Sequence, residues 1–588
     1  MRASTIAPAM LATTVLTVAN DTSCDVEPHP PSLAYLLTVF ATETPPIIIG
    51  NSGYGNRIFI PITGGSFSGP KLEGRVIGAG GDWGNYDTTG TVFSPDAKIV
   101  LETNDGANIL ISGRGRSPYI TFDFETGSKE YGWLNAVVGV GSIQVGDNNI
   151  TAQLFQEAAV YPSCIVSPTS SIDVSGAVTT LTELNCSFAI RSGGHSTWAG
   201  NANIANGVTI DMQALDAISV SDDRSVVSVS PGARWGEVYK ALAPHNLIVA
   251  GGRVGTVGVG GLTLGGGISS FGPRYGWTCD SVVNLELVLA NGAVINANET
   301  HHKDLLHAFR GGSNNFGVVT RIDFRAHEQG DIWGGVVNYN FDTVPQQLAA
   351  SSGLASADPY DEYANLVQGF LYVTGAGRSV VNTLHYTKAF EYPDFFKPFT
   401  DIPRVSDTLR TASFSNFADE GTANNPNGYR SLLATTSIGS SLEMLSAAFA
   451  AWNHSVASFD GVVGLASELL IEPIPKIAYQ AAAPRTNVLG LDDEQGGLVV
   501  LGLAVGWLNE DDDTLVTEVA QEIIAEIDAQ AKELGEHFEF KYLNYAMDWQ
   551  DVIASYGAEN VAKLEKVSRT YDPKGVFQKN VPGGFKLF

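Results

Sequence analysis

Between Ala250 and Gly267 the chain sets nine glycines among eighteen residues, and most of the others are Val, Leu and Thr. A glycine-rich stretch filled out with Ser and Asn would be a flexible linker. Apolar and β-branched residues resist disorder, so this composition predicts a packed loop whose backbone runs against something flat or charged. Upstream, the apolar run Phe188-Ala189-Ile190 ends in a second glycine turn, Arg191-Ser192-Gly193-Gly194-His195-Ser196. Successive backbone N–H groups in such a turn form a concave nest suited to phosphate oxygens, and His195 projects a ring nitrogen beside whatever the turn holds. Alone, Gly-Gly-His is an ordinary turn; the loop that follows gives it weight. Downstream, Leu285–Gly292 reads as a strand closed by an Asn-Gly turn, and Arg310–Thr320 carries another Gly-Gly pair. None of these is the Gly-x-Gly-x-x-Gly of a Rossmann fold, which must lie between a strand and a helix start with an acidic residue beyond.

Taken together, these motifs over residues 160–330 resemble the FAD-binding domain of the vanillyl-alcohol-oxidase superfamily, also called the para-cresol methylhydroxylase (PCMH) type. The C-terminal Tyr542-Leu543-Asn544-Tyr545-Ala546 and Tyr571-Asp572-Pro573-Lys574-Gly575-Val576-Phe577 resemble its berberine-bridge-enzyme-like branch. The resemblance implies that the turn Arg191, Ser192, Gly193, Gly194, His195 and Ser196 wraps the FAD pyrophosphate, and that His195 carries the flavin covalently. It implies that Gly255, Thr256, Val257, Gly258, Gly260 and Gly261, with Gly265 and Gly266, line the cofactor, and that Val319 offers backbone contacts to the adenine part. Members with two covalent links carry a cysteine where this chain has Val254. A single histidyl link is therefore the expectation.

The same resemblance implies hydride transfer to the flavin while a proton leaves the substrate. Tyr545 matches the family position that reaches the active site, with Asn544 beside it as an orienting amide. A phenol takes up that proton readily if its surroundings lower its pKa from about 10; the alternative is an ordinary half-buried tyrosine with a satisfied hydroxyl. Trp549 and Tyr275 are aromatic candidates for the pocket wall. In the family fold the segments holding Cys164 and Cys186 are neighbouring strands, which implies a Cys164–Cys186 disulfide in an oxidising compartment; two buried free thiols are the alternative.

Charge narrows the partners. Sixty-two acidic residues against 34 basic give a net charge of −28, so nucleic acid and anionic membrane are not expected partners. A small-molecule substrate, with dioxygen as acceptor, is the expectation; the sequence leaves oligomeric state open. No run beyond the N-terminus approaches membrane-spanning length. Residues 1–28 read as a secretory signal with a short apolar core and a small-residue exit, or else as a tail. The signal points to a secreted protein; without it, to a cytoplasmic one. No Cys/His cluster has zinc spacing.

The organisation that follows is α+β with an all-β domain ahead of it. Short alternating runs with Gly-Gly and Asp-Gly turns predict a β-barrel over 29–157, which resembles a small family classed as a domain of unknown function. Arg57, Asp82 and Asn135 could converge at its mouth or simply tie strands together. A PCMH-type FAD-binding domain is expected over 158–330 and an α+β substrate domain over 331–540. In the latter, apolar residues at helical spacing from Leu515 to Leu534 predict a helix capped by Gly535. The segment 541–588 should return to the flavin domain. The leading reading is an FAD-linked oxidase of a secondary metabolite or sugar. The alternative gives the barrel separate lyase or isomerase chemistry, or makes it a ligand-binding module.

Overall fold

A computed structural model describes residues 38–153 and 162–588, apart from 44–46, 52–55, 69–71, 87–92, 95, 117–118, 132–137, 147–148, 424–429, 481–485 and 492–496. The possible leader at 1–28 and Asn135 lie outside the described residues.

The N-terminal strands β1 (Thr38–Glu43), β2 (Asn56–Ser68), β3 (Glu73–Asp82), β4 (Asp96–Thr103), β5 (Asn108–Arg116), β6 (Tyr119–Thr126), β7 (Val138–Gly146) and β8 (Asn149–Gln153) each pair antiparallel with the next. β1 pairs with both β2 and β8, which closes an up-and-down barrel. Period-two alternation sends Val39, Ile62, Phe67, Val76, Leu101, Ile109 and Phe124 into one buried cluster. An eight-stranded barrel has an interior just wide enough for side chains to fill or for one small ligand. Asp82 is buried and accepts from the Asp96 N–H at 2.8 Å, whereas Arg57 is exposed.

The following region opens with the parallel strands β9 (Cys164–Val166), β10 (Phe188–Arg191) and β11 (Val208–Asp211), in the order β9-β11-β10. Helix α1 (Ser171–Glu183) connects the first two, its N-terminus capped by the Ser170 hydroxyl. An antiparallel sheet follows, with β12 (Ile218–Val220), β13 (Val226–Val229), β14 (Val282–Val288), β15 (Val294–Asn298) and β16 (Val318–Arg325) in the order β12-β13-β16-β14-β15. The expected Cys164–Cys186 disulfide is not formed. Strand β11 lies between β9 and β10, so Cys164 and the segment leading into β10 are two strands apart. That is too far for the 7 Å reach of a disulfide, given about 4.8 Å per strand spacing. Cys164 is an exposed free thiol, and Cys186 is disulfide-bonded, but not to Cys164.

A nine-stranded sheet forms the rest. Its centre runs β17 (Ile332–Asn340), β19 (Gly377–Tyr386), β18 (Ala364–Val373), β21 (Ala466–Ile474), β22 (Leu498–Trp507) and β20 (Arg430–Ile438). Helices α4 (Val344–Ala355), α6 (Leu442–Ser455) and α7 (Asp513–Leu534) contribute to a core shared with one face of this sheet. Helix α7 extends two residues further than the spacing predicts, and Gly535 caps it at φ 70° as expected. Asp513 at its start accepts from Arg430 and from the Trp507 indole. The C-terminal residues Phe540–Leu587 pack back into the cores of the 162–325 region. Among the described residues no helix is long and apolar enough to cross a membrane, and no group of three or more His, Cys, Asp or Glu could hold a metal.

Candidate active site

The two glycine signals meet. A Cβ on Gly193 would lie 2.5 Å from the Gly258 backbone, and one on Gly258 would lie 2.3 Å from the Gly193 nitrogen. Only residues without side chains allow this approach. The Ser192 hydroxyl donates to the Pro231 carbonyl, and Ser196 accepts from the Asn201 amide at 2.7 Å. Arg191 pairs with Asp211 at 2.7 Å. His195 stands at the tip of the turn with Nε2 3.1 Å from the Thr256 hydroxyl. Although the residue is exposed at the tip, its pKa is depressed below 6.5, by the partial desolvation of its ring and then by the Arg234 charge. The imidazole is consequently neutral at pH 7, the form able to act as a nucleophile.

Several glycines expected to line a cofactor are explained by contacts within the protein. The Gly255 N–H donates to the Ala418 carbonyl on helix α5 (Phe414–Ala423) at 2.9 Å, and Gly260 abuts Pro231 and Ser192. Gly265 abuts Asn544, and Gly266 abuts Leu489 and Trp277. Val257 leans on the core, its carbonyl accepting from the Trp235 N–H. The Val319 side chain is buried, and its residue pairs with Leu287 of β14 on one edge only. Gly194, His195 and Ser196 at the tip are exposed, a Cβ on Gly261 would meet nothing within 4 Å, and the buried Arg191 Nε has no partner. Open space beside bare backbone and an unsatisfied cationic donor suits an anionic, flat-ended ligand such as FAD.

At the start of the loop segment Arg253–Thr256 lies an ion-paired cluster. Arg253, two residues before Gly255, pairs with Glu472 of β21 at 2.8 Å and donates to the Tyr545 hydroxyl at 2.8 Å. Tyr545 in turn donates to Glu472 at 2.6 Å. Glu472 is only 1% exposed, so it requires both partners. The segment Arg253–Thr256 thus touches His195 at one end and Tyr545 at the other. The environment of Tyr545 does not lower its pKa as the sequence reading required. Burial, then the neighbouring Glu472 charge, push it well above 10. Tyr545 is a hydroxyl held between a carboxylate and a guanidinium, not a tyrosinate. Asn544 turns from this cluster, its amide donating to the Leu262 carbonyl and the Tyr542 hydroxyl at 3.0 and 3.1 Å. Tyr275 stacks on His327, and Trp549 packs against the sheet–helix core.

Residues 162–298 match the FAD binding domain family, and residues 31–118 match DUF3237, a protein family of unknown function. The chain is 37% identical over 72% of its length to the FAD-dependent monooxygenase drtC of Aspergillus calidoustus, covering 83% of that protein. It is 38% identical over 73% to the FAD-dependent monooxygenase sdcF of Emericella nidulans, covering 91%. The chain belongs to the PCMH-type FAD-dependent oxidoreductases. It also matches oligopeptidase PhomG' of Diaporthe leptostromiformis at 39% identity over 74% of this chain, a match spanning only 35% of that protein. In fold it is similar to 6-hydroxy-D-nicotine oxidase of Arthrobacter nicotinovorans, with TM-score 0.61 and 20% identity over 72% of this chain and 93% of that one. Glucooligosaccharide oxidase of Acremonium strictum, whose FAD is 6-S-cysteinyl and 8α-N1-histidyl, gives a TM-score of 0.61 with 20% identity over 72% of this chain and 91% of that one.

Sequence reasoning missed Arg253 and Glu472. A signal was present: Ala466–Ile474 reads as an apolar strand interrupted by Glu468 and Glu472, and a carboxylate in such a strand needs a partner.

Proposed function

We propose that the enzyme is an oxidase of a small hydroxyl-bearing organic molecule, a secondary metabolite or a sugar, with FAD linked through His195 and dioxygen as acceptor. The observation that carries this reading is the segment Arg253–Thr256, which holds Thr256 against His195 and Arg253 against the Tyr545–Glu472 pair. The turn 191–196 and the open backbone at Gly261 would hold the cofactor, and Arg191 has a free donor for its phosphates. When bound, FAD supplies a two-electron acceptor that dioxygen can regenerate.

The chain's own task is to take the substrate proton. A phenol with a raised pKa cannot do so alone, but Tyr545 can accept at Oη while passing its own proton along the 2.6 Å bond to Glu472. Arg253 pairs with the Glu472 carboxyl and keeps the tyrosine oxygen oriented. The chemistry itself belongs to the cofactor; the protein orients and excludes side reactions.

The match to DUF3237 leaves the barrel without an assigned reaction.

Incubation of the holoenzyme with panels of sugars and phenolic alcohols under labelled dioxygen tests the oxidase reading. One peroxide should form per substrate oxidised, with the label in the peroxide. Label incorporated into the product would reject the oxidase in favour of a monooxygenase.

A further inference from the structure

The face of the nine-stranded sheet turned away from its helices carries one more carboxylate. On β21, Glu468, Leu470 and Glu472 share that face by the two-residue period of a strand, since the alternate residues Leu469 and Ile471 enter the helix-side core. Leu470 pairs with Gly369 on β18 and with Gly502 on β22. The Glu468 side chain lies over Gly369: a Cβ there would meet its Oε1 at 1.9 Å. Because Gly369 pairs with Leu470 and not with Glu468, the carboxyl leans one pair-step toward Glu472. That leaves it about 7 Å along the strand from the row of the Tyr545 cluster.

Glu468 has no hydrogen-bond or ion-pair partner among the described residues, unlike Glu472. A half-buried carboxyl without a protein partner, seated on a glycine and leaning toward Glu472, is free to accept a hydrogen bond from a ligand. We propose that Glu468 is a specificity-determining residue that accepts a hydrogen bond from a second hydroxyl of the substrate. The substrate class is then a polyhydroxylated ring compound with donors about 7 Å apart, one at Tyr545 and one at Glu468. Burial, then the Glu472 charge, raise the Glu468 pKa to about 7, which suits a neutral hydroxyl better than a fixed charge. This assignment rests on the reading of Tyr545 and Glu472 as the proton-accepting pair.

The test uses the full-length holoenzyme under anaerobic conditions, with two probes differing by one hydroxyl, 1-naphthol and 1,5-dihydroxynaphthalene, followed by the flavin difference spectrum. The diol should bind about tenfold more tightly than the mono-ol. Glu468→Gln should bring the two within about threefold while leaving 1-naphthol affinity unchanged. Gly369→Ala displaces only the end of a flexible side chain, so the protein should fold and the preference should fall likewise. Equal binding of the two probes by the unaltered enzyme, or a preference that survives Glu468→Gln, would overturn the role of Glu468 alone. If neither probe perturbs the flavin, the reading of this face as the substrate surface fails, and the proposal with it.

Discussion

The barrel of residues 38–153 and the loop Ala250–Gly267 with the turn 191–196 beside it are both rich in glycine, yet they use it to different ends. In the barrel, a Cβ on Gly74 would lie 2.1 Å from the Glu102 carbonyl of the next strand. The closeness serves strand packing around an interior filled by Leu101, Ile109 and Phe124. Its buried carboxylate, Asp82, is held by a backbone N–H of a neighbouring strand. At the loop junction, Gly193 and Gly258 bring together two loops distant in sequence, and open space remains at Gly261. Polar groups there are left without partners, as at Arg191 Nε, or are concentrated into a buried ion pair, as at Glu472. Glycine content therefore does not mark a ligand site; glycine beside unfilled space and unspent polar groups does.

The sharpest break of this comparison is in the ion-paired cluster. Tyr545→Phe and Glu472→Gln should each slow substrate-driven reduction of the flavin by about 10²–10⁴, the range for acid–base groups, as followed in an anaerobic stopped-flow instrument. The double variant should be little worse than either single one, because the two residues act as a unit. Multiplicative effects would separate their roles.

Gly193→Ala tests the loop junction. Its new methyl meets backbone, so we expect a loss of about 1–3 kcal/mol in stability with poorer flavin retention, read by calorimetry and by the ratio of flavin to protein absorbance. A barrel variant is the counterpart. Leu101 is fully buried, so Leu101→Ala should destabilise the barrel by about 2–5 kcal/mol while leaving the flavin spectrum and its reduction rate unchanged. Turnover falling in step with barrel stability would give the barrel a share in the reaction.

The smallest expected effect concerns pH. The pKa of His195 lies below 6.5, so the reactive neutral imidazole persists as pH falls through 6.5 and is lost only below it. Incorporation of FAD into the cofactor-free protein should therefore be half-maximal below pH 6.5. A midpoint at or above 6.5 would mean that the histidine is not desolvated.

Much of this was legible in the sequence, and for a consistent reason. The barrel follows from alternation and turns, and helix α7 from its 3.6-residue period and Gly535. The glycines around Gly193 and Gly258 each announce a close backbone approach, though not that the two stretches meet each other. What escaped depended on pairing between distant segments. The order β9-β11-β10 separates Cys164 from Cys186, and nothing local in β11 announces that it inserts between them. Arg253 lies in the glycine loop, Glu472 in a strand more than two hundred residues later and Tyr545 near the C-terminus. Their ion pair exists only once the sheet has docked. The direction of the Tyr545 pKa depends on that burial, so no sequence motif could have set its sign.

His195 is the proposed attachment point, joined through Arg253–Thr256 to the Tyr545–Glu472 pair. Acid precipitation of the purified holoenzyme, proteolysis of the pellet and mass analysis of the yellow peptide test this most directly. The expected result is a yellow pellet and one peptide containing residues 191–196 that carries the mass of FAD on His195. Flavin released into the supernatant, or found on any other residue, would contradict it.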